Sequence, residues 1–247
     1  MIVLDDVWHH FDQRPVLRGI TAELVERRIG IIGANGSGKS TLARTFNGLV
    51  VPDRGTVETL GLDVRRKRAE VRAQVGFMFA DASAQIVMPT PAEDVALSLR
   101  PMGGRSGGWR RGRRRAGAAA GPAGADGAAS IDARVAEVLA EFGLADHADA
   151  PAQLLSSGQK QMLAFASVLV TEPKILVCDE PTTLLDLRNV LIVRARLAAL
   201  EQQVILLTHH LELLDDFDRV LVMDDGAVVH DGAPAEAIAA YRELAAR

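Results

Sequence analysis

A single cysteine stands in 247 residues, so no disulfide within the chain can staple it. Cys178 lies inside the apolar run ILVCD, where a thiol behaves as a small buried hydrophobe, and its lack of a partner fits a reducing compartment. A surplus of one charge is missing too. The formal net charge of -4 gives no general attraction to nucleic acid or anionic lipid. Long apolar runs are absent as well: MLAFASVLV (162–170) is about half of what a membrane span needs. The start, MIVLDDVWHHFDQR, has no basic segment followed by an apolar one, so no leader is expected. Any membrane association is expected to come through a partner. What the chain does have is 48% hydrophobic residues, enough for one large core or a domain with a subdomain.

Short β-rich runs open the sequence (MIVLDDV, ITAELV, RIGII), and later ones (VGFMF, ILVCD, VILLT, RVLVM, AVVHDG) alternate with helical stretches such as 187–201 and 234–246. That alternation predicts an α/β protein with a largely parallel sheet. IGII, ILVCD and VILLT are apolar on both faces, as central strands under covering helices should be. Between about Pro91 and Ala166 the strand signals vanish. Two helical patterns, IDARVAEVLAEFGL and GQKQMLAFASVLV, predict a helical subdomain there. Inside it, residues 103–130 are Gly, Ala and Arg without a buriable periodicity, and are expected to be loosely ordered.

The segment RIGIIGANGSGKSTLARTFNGL holds Gly33-x-x-x-x-Gly38-Lys39-Ser40 between an apolar strand and an amphipathic helix, the setting that a P-loop requires. Glycines at 33, 36 and 38 let backbone N–H groups close around phosphate. The helix start adds partial positive charge, and Lys39 reaches the terminal phosphates. Ser40 is then a Mg²⁺ ligand. A glycine-rich turn that binds nothing accounts for the glycines but not for the whole octet in this setting. Further on, KILVCDEP is an apolar strand ending in two acids. Asp179 stands where a Mg²⁺-associated carboxylate belongs, and Glu180 can polarise a water for in-line attack on the γ-phosphate. VILLTHHLEL places His209 beyond a third apolar strand, in position to bond the γ-phosphate and the attacking water; His210 beside it reads as an ordinary surface residue.

QLLSSGQKQ (153–161) precedes a helix whose apolar positions Met162, Phe165, Ala166 and Leu169 recur at helical spacing. Ser156 as N-cap with Gln159 three residues on makes a capping box. That leaves Ser157 and Gly158 unexplained; with the helix start they would form a second anion-binding turn. On the residues alone both readings stand.

GANGSGKST, LSSGQ, ILVCDEP, TLLD and TH, in this order over nearly the whole chain, resemble the ATP-binding cassette (ABC) ATPases, whose signature is usually LSGGQ. The resemblance implies a P-loop NTPase of the ABC type: a mostly parallel central sheet, an N-terminal antiparallel β-subdomain and an inserted α-helical subdomain. Residues 1–90 and 167–247 would be the nucleotide-binding core, and 91–166 the helical subdomain. It implies an ATP hydrolase using ATP and Mg²⁺, with Phe11 stacked on adenine and Gly33, Asn35, Gly36, Ser37, Gly38, Lys39, Ser40 and Thr41 binding the nucleotide. In that family two cassettes pair head to tail. By resemblance, Ser156, Ser157, Gly158 and Gln159 meet a nucleotide held by the partner cassette, and Asp186 belongs to the D-loop. Ser40 and Asp179 hold Mg²⁺, while Glu180 and His209 are catalytic.

Three departures stand out. The family's Q-loop glutamine should follow VGFMF, where this chain has Ala80; a water or Asp81 would fill the Mg²⁺ shell, and hydrolysis is expected to be slow unless a partner orders the loop. Ser157 replaces a signature glycine, which is expected to reduce backbone freedom. Arg105, Arg110, Arg111, Arg113, Arg114 and Arg115 crowd a segment that relatives cross with a short link, either a tolerated insertion or an anionic-lipid contact. FADASAQIVMPTPAEDVALSLR, with Gln85 and its AEDVA helix start, is similar to the energy-coupling factor (ECF) ATPases. These drive vitamin, cobalt or nickel uptake through a transmembrane T subunit and a substrate-binding S subunit. The biotin-transporter branch is nearest in RRIGIIGANGSGKST, QIVMPT and PTTLLDLRN, and the cobalt type second. The expected partners are thus a second cassette, as a homodimer, with T and S subunits at the cytoplasmic face of the membrane, and no specific nucleic acid. A soluble, non-transport ABC ATPase is the alternative class; the coiled coil of repair types and the tandem cassettes of ribosomal types are both missing.

Overall fold

The computed structural model describes residues 1–99, 122–183 and 185–246. The chain divides into two compact units, Met1–Gln85 with Glu172–Arg247, and Ile86–Thr171. The first unit opens on an antiparallel pair, β1 (Ile2–Phe11) and β2 (Arg14–Leu24). Then come β3 (Arg28–Gly33), α1 (Lys39–Thr45), β4 (Arg54–Thr59), β5 (Leu62–Asp63), α2 (Arg68–Arg72), β6 (Val75–Met78) and α3 (Ala82–Gln85). The second unit holds α4 (Pro91–Ser98), α5 (Pro122–Glu141) and α6 (Ser157–Leu169). The chain returns to the first through β7 (Ile175–Asp179), α7 (Leu187–Ala199), β8 (Gln203–Leu207), β9 (Arg219–Asp224), β10 (Ala227–Gly232) and α8 (Pro234–Ala245).

Two sheets form in the first unit, an antiparallel one ordered β2-β1-β4-β5 and a second ordered β10-β9-β3-β8-β7-β6. In the second, all neighbours run parallel except the β9/β10 hairpin. β3 and β7 are buried at every position, and β8 at all but its first. That is the all-apolar pattern of strands covered on both faces, and it makes them the middle of the sheet. The mostly parallel central sheet and the N-terminal antiparallel sheet expected from the motifs are both observed. β4 and β5 were not visible as strands because RGTVET is mostly polar and LD is only two residues long; pairing with β1 makes β4 a strand.

In the second unit, α4 starts on Thr90, whose hydroxyl accepts from Glu93 N, with Pro91 in the first turn. Asp94, inside the AEDVA stretch, is buried. Its carboxylate accepts from Val87 N at 2.9 Å, Met88 N at 3.1 Å and the Ser167 hydroxyl at 2.7 Å, which ties α4 to α6. α5 begins at Pro122, inside the stretch expected to be loose; residues 103–121 of that stretch, with its arginine cluster, lie outside the described residues.

Candidate active site

β3 delivers the chain into the loop 33–38 at the C-terminal edge of the parallel sheet, where α/β proteins bind ligands. Gly36 has φ 82° in open space and Gly38 φ 99°, a region that side-chain-bearing residues disfavour; a Cβ on Gly38 would also sit 2.7 Å from Val16 O. Lys39 is buried and folds back: its Nζ donates to Gly33 O at 2.7 Å and Ala34 O at 2.9 Å. Burial lowers its pKa, against the raising effect of Glu180 and Asp179. The ammonium is thus held by two neutral carbonyls, a weak match for a full charge. Ser37 Oγ, also in the loop, is buried without a hydrogen-bond partner. A cavity of about 360 Å³ lies over the loop, lined by Asn35, Gly36, Gly38, Lys39, Ser40, Thr41, Glu180 and Val16.

Behind it, Ser40 Oγ donates to Asp179 Oδ1 at 2.8 Å, across 139 residues of sequence. Asp179 is 3% exposed, and burial pushes its carboxyl pKa up, with the Ser40 hydroxyl and Arg44 opposing and Glu180 adding to the rise. Such a carboxylate gains from a cation. A serine hydroxyl beside a buried carboxylate is a hard-oxygen pair, the donor set Mg²⁺ takes while keeping waters and phosphate oxygens in its shell. The residues present therefore fit Mg²⁺, with Ser40 and Asp179 as the groups that would hold it. Among the described residues no cluster of three or more His, Cys, Asp or Glu forms a cage of its own.

Glu180 follows with φ 53°, a left-handed conformation uncommon outside glycine, pinned by its N–H to Leu207 O at 3.0 Å. Its Oε2 lies 2.7 Å from His209 Nδ1, and His209 N also donates to it at 3.3 Å. β7 and β8 are adjacent and parallel, so the two residues that follow their ends meet. His209 is half exposed. His210 differs from the surface residue expected: it is half-buried, packs edge-on to His209 with ring centroids 4.3 Å apart, and places Nδ1 3.4 Å from Thr182 Oγ1.

A second cavity of about 540 Å³ is lined by Gly33, Ala34, Asn35, Ala80, Glu180, Thr183, His209 and Tyr241. Ala80 does sit beside the loop 33–38, and its side chain carries no oxygen. Asp81 is occupied at 2.8 Å by Ser83 N, and Gln85 folds back to accept from Phe79 N at 3.1 Å. Tyr241, on α8, was missed; nothing in its surroundings in sequence signals a site, and only the fold brings it to this cavity.

Phe11 is 52% exposed at the end of β1, in a T-shaped contact with His9 at 4.9 Å between ring centroids. Asp186 caps α7, its Oδ1 accepting from Asn189 N at 2.8 Å. Leu184 of the same loop lies outside the described residues.

In the second unit, Ser156 and Gln159 do form the capping box. Ser156 Oγ accepts from Gln159 N at 3.3 Å, and Gln159 Oε1 accepts from Ser156 N at 2.9 Å. Ser157 is the first residue of α6 and has no positive φ, which corrects the expectation that serine restricts the backbone there. Ser156 and Ser157 are exposed and Gly158 buried. The cap uses a lone pair of Ser156, so its hydroxyl proton stays free to donate.

A family model described as "ABC transporter" matches residues 20–183. A Deinococcus radiodurans protein bearing the name of an ABC transporter ATP-binding protein is 45% identical over 98% of each chain. The biotin transport ATP-binding protein BioM of Rhizobium etli is 42% identical, over 96% of this chain and 95% of its own. Among solved structures, cbiO1 of Clostridium perfringens, described as part of the ABC transporter complex cbiONQ, superposes with a TM-score of 0.76 at 27% identity, over 98% of this chain and 92% of that one.

Proposed function

The chain belongs to the ABC transporter family, as an ATP-hydrolysing, ATP-binding subunit, and from that premise we propose that it energises an ECF-type importer whose cargo is biotin. The observation that carries the importer type and cargo is likeness over nearly the full length of both chains to a biotin transport ATP-binding protein. The QIVMPTPAEDVA stretch adds to it. Cobalt or nickel uptake is the second reading, favoured by the fold-level likeness to a cbiONQ component.

ABC transporter ATPases act as dimers with transmembrane partners. In the proposed cycle Phe11 stacks on adenine and residues 33–41 wrap the phosphates. Lys39 exchanges two carbonyl oxygens for phosphate oxygens, a charge-assisted contact about twice as strong as a neutral one. Bound Mg²⁺, held by Ser40 and Asp179, would supply charge neutralisation at the phosphates. Glu180 orients and deprotonates the attacking water, and His209, tied to Glu180 through Nδ1, turns Nε2 to the γ-phosphate. Ser156, Ser157, Gly158 and Gln159 donate to a nucleotide held by a second copy, and Asp186 contacts that copy. The closed pair loosens after hydrolysis, which moves T and S subunits at the cytoplasmic face of the membrane. Among the described residues no helix is long and apolar enough to cross it.

Affinity capture of the tagged chain from membranes of cells that make it, followed by biotin uptake in cells lacking it, tests the proposal. It predicts small hydrophobic subunits in the capture and lost biotin uptake. Lost cobalt uptake instead would favour the second reading. Capture of nucleic acid or ribosomes alone would return the chain to the soluble class.

A further inference from the structure

We infer that His147 is a positioning residue for the signature turn: its imidazole holds the Gln159 carboxamide, and with it the donors that meet the γ-phosphate of a partner copy. This rests on the reading of that turn given above.

Gln159 is committed at its oxygen, where Oε1 accepts from Ser156 N at 2.9 Å. Its Nε2 lies 2.7 Å from His147 Nε2. A carboxamide nitrogen only donates, so in this contact the imidazole nitrogen is the acceptor. Both ends of the amide are thereby fixed. One N–H of Gln159 is taken by His147, and the other is left with a defined direction for a ligand.

Helix initiation does not require this contact. α6 is already closed by the reciprocal Ser156 and Gln159 bonds, which satisfy one orphan N–H and the cap. The histidine therefore adds orientation to a group whose terminal torsion is otherwise soft. His147 is well placed to do so: it ends the 3-10 turn Ala145–His147, and is half-buried. Its backbone is pinned by His147 N to Leu144 O at 2.9 Å and Ala150 N to His147 O at 3.0 Å. All of this lies within the second unit, so the turn reaches a partner's nucleotide with its amide already aligned. Without the imidazole the amide can rotate, and closing on ATP must then order it, which weakens ATP-dependent pairing and leaves the P-loop's own affinity alone.

The test is a Mg-ATP titration of pairing by light scattering in the Glu180→Gln chain, with His147→Ala or His147→Gln added; the second keeps an acceptor at the site. His147→Ala should raise the ATP concentration at half-pairing about tenfold, as expected for one hydrogen bond at each of two sites, and His147→Gln should return it to within about twofold. Nucleotide affinity of the unpaired chain, read in the Ser156→Arg background, should not move. An unshifted midpoint in His147→Ala, or equal shifts in both variants, would overturn this inference alone. Absence of ATP-dependent pairing in the Glu180→Gln parent would overturn the shared-site reading and this inference with it.

Discussion

Two turns open helices, residues 33–38 ahead of α1 and residues 153–156 ahead of α6, and the polar groups in and around them end up in different company. At the first, the ammonium of Lys39 rests on two carbonyls, Ser37 Oγ is buried without a partner, and two carboxylates stand behind. At the second, Ser156 and Gln159 satisfy each other, and His147 takes the amide end that is left. Around the first turn, charged groups gather: Lys39 and Glu180 line one cavity with it, and Asp179 lies behind Ser40. The second is neutral, with the Ser156 hydroxyl proton and one Gln159 N–H left to donate. On the proposed shared site, the charged turn would hold its own copy's nucleotide and the neutral turn would meet that of another copy.

The sharpest way to break the contrast is to neutralise the acid at the first turn. Glu180→Gln should cut hydrolysis roughly 10²–10⁴-fold and leave ATP affinity unchanged, checked by phosphate release beside a binding titration. Lys39→Ala should act on the other axis, weakening Mg-ATP binding about a hundredfold in calorimetry, because two charge-assisted contacts to phosphate are lost. Ala80→Gln sharpens the first turn: a side-chain oxygen placed in the cavity beside Gly33, Asn35 and Glu180 should raise apparent Mg²⁺ affinity about tenfold in an activity titration. The smallest effect is expected at the second turn. Ser157→Gly should lower stability by about 0.5 kcal/mol in chemical denaturation, since the position is an ordinary helical one.

Much of the first turn was legible because its chemistry is local: the octet from Gly33 to Ser40 is contiguous, and β7 and β8 announce themselves as apolar runs ending in Asp179-Glu180 and in His209. That β3, β7 and β8 are central strands followed from the same all-buried pattern. What stayed hidden depends on pairing across the fold. β4 is polar and becomes a strand only beside β1. Asp94 read as an acidic helix start and proves to be a buried clasp on Ser167, 73 residues away. Tyr241 reaches its cavity from the far end of the chain, and His147 meets Gln159 through an irregular turn with no periodicity to read. Ser157 was misjudged because a residue type was taken as a guide to φ where the helix start had already set it.

The most direct measurement is the mass of the Glu180→Gln chain in solution, by size exclusion with light scattering, with and without Mg-ATP and again with Ser156→Arg added. The account predicts a dimer that appears only with Mg-ATP and vanishes when Ser156 is replaced, because the serine turn of one copy closes on the nucleotide of the other. An ATP-dependent dimer indifferent to Ser156→Arg, or a monomer under every condition, would contradict it.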